Sequence, residues 1–316
     1  MSTTSLRHLV IGAQGQIGQE LVEALIRRYG PQQVIATDIR QAAYTLACDF
    51  AILDVTDKDA LFKIIEEKEV DVIYNLAAVL SAKGEQNPMW AWELNMTALL
   101  NTLEATRHTR LQRLFWPSSI AVFGPNSPQI NTPQQTIMDP NTVYGISKLA
   151  GERWCDYYKE KYGSDIRSLR YPGLIGYKSA PGGGTTDYAV DIFHQALKLG
   201  HYICFLREDS RLPMMYMPDA IRATLDLVAA DKELIKTPGS YNLAGMSFTP
   251  VEIAEAITKY LPDFSCEYQP DFRQAIADSW PQSIDDQAAQ DDWAWENTYD
   301  LDTMVEDMLA HLRIAV

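Results

Sequence analysis

Leu9-Val10-Ile11-Gly12-Ala13-Gln14-Gly15-Gln16-Ile17-Gly18 is the stretch that decides the fold. Its first three residues are apolar and partly β-branched, as in a buried parallel strand. They run straight into a glycine turn, and helical periodicity follows through Leu21, Val22, Leu25 and Ile26. Strand, glycine turn and helix start, in that order, make a dinucleotide site. Glycines let the turn close tightly and let backbone approach a pyrophosphate, and the helix start offers unpaired N–H groups to its charge. The next strand, 33–38, ends in Asp38, placed where an acid binds a ribose 2′-hydroxyl. A carboxylate there repels a 2′-phosphate, which favours NAD over NADP. Arg40 is the counter-argument, since it could hold that phosphate.

The pattern continues outward. A third strand is expected over 50–55, ending near Asp54, which either faces adenine or caps a helix over 58–68. The fourth spans 70–78, where small Ala77 and Ala78 let a cofactor pass close to the backbone. A helix over 90–108, a fifth strand over 114–119 and a sixth over 166–171 follow. Alternating strands and helices predict an α/β fold with a doubly wound parallel (Rossmann) sheet. Its ligand belongs at the carboxyl ends of the strands, where Ser81, Ser119 and residues 172–175 fall. Residues 1–176, with 213–245 returning to them, are read as the dinucleotide-binding domain. Residues 177–212 and 246–316 are read as a smaller substrate lobe, and residues 1–5 as a loose polar terminus.

Tyr144-Gly-Ile-Ser-Lys148 opens another helical run. Positions four apart share a helix face, so phenol and ammonium can sit side by side. A cation favours the phenolate and lowers its pKa, which suits the tyrosine to be a general base. By itself the pair reads more readily as two surface residues; the glycine turn and the Ser118-Ser119 pair reverse that in favour of the chemical reading. Pro181-Gly-Gly-Gly-Thr185-Thr186-Asp187 cannot be the centre of a helix or strand. It is either a plain surface loop or a mobile lid carrying two hydroxyls and a carboxylate.

Composition narrows the function. The chain has 316 residues, is 47% hydrophobic and carries a net charge of -15. That balance disfavours nucleic acid and anionic membrane surfaces as partners. Four scattered cysteines and five histidines show no metal-ligand spacing, so no metal is expected. Free thiols and the lack of a signal peptide fit a reducing, cytoplasmic compartment.

Gly12-x-x-Gly15-x-x-Gly18, Asn75-Leu-Ala-Ala78, Ser118-Ser119 and Tyr144-x-x-x-Lys148 together resemble the extended short-chain dehydrogenase/reductase family. Within it, three stretches are most similar to the short-chain type of L-threonine 3-dehydrogenase: 80–85, 170–175 with 181–191, and 276–286. The resemblance implies NAD-dependent oxidation of the threonine β-hydroxyl to 2-amino-3-oxobutyrate, a step of threonine catabolism. It implies Tyr144 as base, Lys148 as its cationic partner and Ser119 on the reacting hydroxyl. Ser81, Thr185, Thr186, Asp187 and Trp280 would hold the amino acid. Gly12, Gly15, Gln16, Ile17 and Gly18 would hold the cofactor with Asp38, Arg40 and Asp54. Leu76, Ala77, Ala78, Asn95, Tyr171, Pro172 and Ile175 complete that set.

A nucleotide-sugar epimerase or dehydratase on the same fold is the alternative. Its diphosphate substrate needs cations in the substrate lobe. From Leu261 onward the only basic side chains besides His311 are Arg273 and Arg313. A non-catalytic NAD sensor is a third possibility, opposed by the intact tyrosine–lysine pair. Leu94, Leu99, Leu103, Trp154 and Tyr158 cannot all face one sheet. The two helices carrying them are therefore expected to form a four-helix contact in a two-fold dimer, which the resemblance also implies.

Overall fold

The computed structural model describes residues 6–42 and 46–314; the reading of residues 1–5 lies outside the described residues. β1 (His8–Ile11) leads through the glycine turn into α1 (Gln16–Tyr29). β2 (Val34–Asp38), β3 (Asp49–Ile52), α2 (Lys58–Glu67) and β4 (Val72–Asn75) follow. Next come α3 (Ser81–Gln86), α4 (Pro88–His108), β5 (Arg113–Phe115), β6 (Ser118–Ser119) and α5 (Val143–Tyr162). β7 (Ile166–Arg167), β8 (Leu169–Tyr171) and β9 (Gly173–Ile175) close this half. Six strands form one parallel sheet in the order β3-β2-β1-β4-β5-β7. The order reverses between β1 and β4, the switch point that opens a crevice at the strands' carboxyl ends. β1, β2 and β4 are buried at every position, which accounts for the apolar runs 9–11, 34–36 and 72–74 within them.

The second half contains α6 (Tyr188–Leu199), β10 (His201–Cys204), β11 (Leu212–Tyr216), α7 (Met217–Ala229), β12 (Tyr241–Asn242) and β13 (Met246–Phe248). It ends with α8 (Pro250–Thr258), β14 (Ser265–Tyr268), α9 (Arg273–Ala277), α10 (Gln287–Trp293) and α11 (Leu301–Ile314). Two buried clusters cover the faces of the main sheet, one under α1 and α7 and the other under α2, α4 and α5. A third lies among α6, α8, α9 and α11.

Three expectations need correction. The fifth and sixth strands each divide in two. β5 and β7 pair in the main sheet, whereas β6 and β8 form a separate parallel ladder with β12. Pro117, with no N–H to donate, sits at the first break. Asp57, not Asp54, caps α2, accepting from the Ala60 amide at 3.0 Å; Asp54 instead bonds Thr56. Leu99, Leu103 and Tyr158 lie in this chain's own core, because α4 and α5 pack on each other as well as on the sheet. Of the five residues argued to need a second subunit, Trp154 stays exposed and Leu94 is half-buried.

Candidate active site

A cavity of about 140 Å³ opens at the carboxyl ends of the strands. Its wall includes Ser119, Tyr144 and Lys148 together with Ser81, Thr185, Thr186, Asp187 and Trp280. Gln16, Ile17, Leu76, Ala78, Tyr171 and Pro172 line its cofactor side. Segments more than a hundred residues apart in sequence thus converge on one small space.

The start of α5 is what brings Tyr144 there. Thr142 caps the helix, accepting from the Gly145 amide at 3.1 Å. A Cβ on Gly145 would lie 2.1 Å from the Ala121 carbonyl oxygen, so only glycine lets the helix press onto the short turn Ile120–Val122. That turn follows directly from Ser119, whose Oγ accepts from the Ala121 amide at 3.2 Å. Burial pushes the Tyr144 phenol up to about 12, partly offset by a hydrogen bond with Ser119. Burial also brings the Lys148 ammonium down to about 7, opposed by the Cys155 thiol and the Glu152 carboxylate. The lowered tyrosine pKa expected from the spacing is therefore outweighed by desolvation. Lys148 Nζ donates to the Pro117 carbonyl at 2.5 Å and lies 5.6 Å from the Tyr144 ring centre and 4.4 Å from that of Trp116.

The glycine loop folds over this cavity. Thr185 is 1% exposed, and its hydroxyl meets that of Ser81 at 3.4 Å. Asp187 Oδ2 accepts from the amides of Gly183 and Gly184 at 2.7 and 2.8 Å, so the carboxylate is spent in good part on the loop's own backbone. Gly183 has φ +95°, a left-handed conformation that suits glycine. Beneath the loop, a Cβ on Gly173 would lie 2.7 Å from Thr186 Cγ2, so glycine at that position lets Thr186 seat on β9.

The cofactor candidates divide. Gly12, Gly15, Asp38, Arg40, Asp54, Leu76, Ala77 and Ala78 line a second cavity of about 440 Å³, and Leu76 and Ala78 are shared with the first. Gly12 has φ +81°, and a Cβ on Gly18 would lie 2.2 Å from the Gly12 carbonyl oxygen. Gly18 thus builds the turn without lining the cavity. The first amides of α1 have no side-chain cap. A glycine cradle without Cβ atoms, an uncapped helix start and an acid at the end of β2 fit a dinucleotide. Asp38 accepts from the Gln14 amide at 2.9 Å, the Arg40 amide at 3.1 Å and Arg40 Nε at 3.4 Å, so Arg40 leans on the acid.

Asn95 and Ile175 lie outside both cavities. Asn95 Oδ1 accepts from the Val79 amide at 2.8 Å and its Nδ2 reaches Ser147 at 3.3 Å, bracing the cofactor strand's exit against α5. Ile175 is core. Lys83 and Lys178 face a third space beside Gln14–Gln19 and were not assigned from sequence. Lys83 sits inside the family-like stretch 80–85 and could have been found there; nothing in the sequence marks Lys178. The Pro117 carbonyl, Glu152 and Arg170 were also missed.

A doubly wound sheet, a glycine cradle and a tyrosine paired with a buried lysine define the class. Residues 8–244 match the NAD dependent epimerase/dehydratase family, and the chain belongs to it, as the resemblance to extended short-chain dehydrogenases/reductases implied. More particularly, a partial-consensus L-threonine 3-dehydrogenase is 56% identical, with 98% of this chain and 99% of that one covered and a TM-score of 0.96. The GalE-like L-threonine dehydrogenase of Cupriavidus necator in its holo form is 55% identical, with 97% and 99% covered and a TM-score of 0.95; its apo form superposes at 0.85. A monomeric L-threonine 3-dehydrogenase from a metagenome, in its apo form, is 45% identical, with 98% and 99% covered and a TM-score of 0.95.

Proposed function

We propose that this chain is an NAD-dependent L-threonine 3-dehydrogenase, oxidising the β-hydroxyl of L-threonine to L-2-amino-3-oxobutyrate in threonine catabolism. The observation that carries this reading is the single small cavity in which Ser119, Tyr144 and Lys148 meet Ser81, Thr185, Thr186 and Trp280. Ser119 holds the substrate hydroxyl, and Tyr144 takes its proton. Bound NAD+ supplies the acceptor for the hydride that leaves the same carbon. Lys148 steadies the phenolate, and the loop residues position the amino acid. Asp187 acts mainly by shaping that loop.

Lys148 is the cavity's one basic side chain among the described residues, which suits a small zwitterion better than a nucleotide-sugar diphosphate. Asp38 supports NAD over NADP. Residues 1–176 with 213–245 serve the cofactor, and 177–212 with 246–316 serve the substrate. Exposed Met89 and Trp90 on α4, with Ile146, Trp154 and Tyr157 on α5, support a two-fold dimer. The unpaired thiols support a cytoplasmic setting.

A panel of amino acids and sugar nucleotides, followed at the NADH absorbance band, tests the activity. Turnover is expected with L-threonine and NAD. Turnover confined to a sugar nucleotide refutes the proposal. Light scattering at micromolar concentration tests the dimer, which a monomer contradicts.

A further inference from the structure

Three consecutive residues on and beside β6 each face one of three residues four apart on α5. The Pro117 carbonyl accepts from Lys148, Ser118 donates to Glu152 at 2.6 Å, and Ser119 meets Tyr144. Two of these contacts belong to the proposed chemistry; the Ser118–Glu152 contact does not. Although Ser118 lines the cavity, its hydroxyl is committed to Glu152 rather than offered to a substrate.

Glu152 is 0% exposed. Its Oε1 also accepts from Arg170 Nε at 2.9 Å, and its Oε2 from Arg170 Nη2 at 2.8 Å. Arg170 lies opposite Ser118 in the β6–β8 ladder and opposite Asn242 in the β8–β12 ladder. Its Nη1 donates to Asn242 Oδ1 at 3.0 Å, and Asn242 Nδ2 donates in turn to the Asp285 carbonyl at 3.0 Å. Asp285 lies five residues beyond Trp280. A single buried carboxylate is therefore tied to the strand carrying Ser119, to the helix carrying Tyr144 and Lys148, and to the segment that supplies the Trp280 wall.

A buried ion pair is poor value as a stabiliser, because desolvation consumes much of its attraction and well-packed apolar residues serve as well. Its strength is directional. The bidentate guanidinium–carboxylate fork fixes orientation, and every hydrogen bond in it is charge-assisted. We infer that Glu152, held by Arg170, is a positioning residue that sets Pro117–Ser119 in register with Tyr144 and Lys148. The inference rests on the dehydrogenase reading above and adds to it a residue that touches neither substrate nor cofactor.

Two variants separate positioning from bulk stability. Ser118→Ala cuts the link to the strand and leaves the ion pair whole. Glu152→Gln keeps an acceptor for Ser118 but removes the charge that orients Arg170. Both are compared with the full-length wild type for kcat, for KM with threonine, for NAD affinity and for hydrogen exchange over residues 116–121. The expected result is faster exchange in that segment and a kcat at least about tenfold lower, against the ~10²-fold loss that a 1 Å misplacement can bring. KM and NAD affinity should stay within about twofold, because no ligand contact is removed. Combining the two changes should slow the enzyme by less than the product of the two single losses, as expected for residues acting through one shared network. If Glu152→Gln fails to fold, Ser118→Ala decides. Unchanged exchange, or faster exchange with wild-type kcat, overturns the inference. A wild type inert toward threonine overturns the substrate reading instead; exchange over 116–121, together with turnover of whichever panel substrate is active, then decides the positioning.

Discussion

Gly173→Ala probes the contact on which the substrate loop depends. The new Cβ would meet Thr186 Cγ2 at 2.7 Å, Thr186 Cβ at 2.8 Å and Met214 Sδ at 2.4 Å. The methionine end can swing aside. Thr186 cannot retreat to an ordinary ~3.4 Å contact without lifting its loop, because Asp187 binds the preceding glycine amides and the same residue leads into α6. Overpacking of this kind costs about 1–3 kcal/mol. Charged to the closed loop, that cost lowers kcat/KM for threonine about 5- to 150-fold. NAD affinity should hold, since Gly173 is absent from the larger cofactor cavity. Adding Thr186→Ser, which deletes the clashing methyl, should restore part of the loss. The assay is steady-state NADH formation at saturating NAD, with cofactor affinity measured separately by protein fluorescence. A Gly173→Ala enzyme with kcat/KM within twofold of wild type would refute the seating of Thr186 on β9. So would a loss confined to NAD binding.

Tyr144→Phe should cut turnover by about 10²–10⁴ with NAD affinity nearly unchanged, and retained turnover removes Tyr144 as the base. Burial holds the phenol up, at about 12, and the base acts deprotonated, while Lys148, held down to about 7, loses its charge above that pH, so kcat/KM for oxidation should climb between about pH 5 and 7 and level off above. A profile that falls across that window contradicts the assignment. Asp38→Ala removes a charged hydrogen-bond acceptor and should weaken NAD binding by roughly 10- to 100-fold while narrowing the preference against NADP; unaltered binding of both cofactors places Asp38 away from the ribose. Thr186→Ala should raise KM for threonine, and hydrogen exchange over residues 181–191 should slow when threonine joins NAD. Equal protection in both states leaves a plain surface loop.

What the sequence could show depended on local chemistry. The glycine cradle was legible because three constraints fall within seven positions: a left-handed residue, a tight turn and a helix start that admits no Cβ. The tyrosine–lysine pair was legible only beside the glycine turn and the serine pair, since helix spacing puts both on one face without saying what that face does. Asp57 rather than Asp54 as cap was not, since two acids stood within cap distance and only the start of α2 decides between them. The splitting of the fifth and sixth strands was hidden because a change of pairing partner leaves the side-chain alternation intact. Glu152 and Arg170 were invisible for a related reason. They sit eighteen residues apart in sequence, and only the ladder of β6, β8 and β12 reveals that they share one buried space. The pKa expected for Tyr144 followed from charge proximity, and the depth of burial was the missing quantity.

Leu76 and Ala78 wall both the larger cavity beside Asp38 and the smaller one beside Tyr144, so the two spaces are consecutive rooms with a common partition. Under the proposed function, a nicotinamide entering through the first becomes the floor of the second. The amino acid arriving earlier would find its pocket open on that side, and one arriving later would close the way out. On that reading NAD would lead and threonine follow, the oxidised amino acid would leave first, and NADH last. In inhibition studies NADH should compete with NAD and not with threonine.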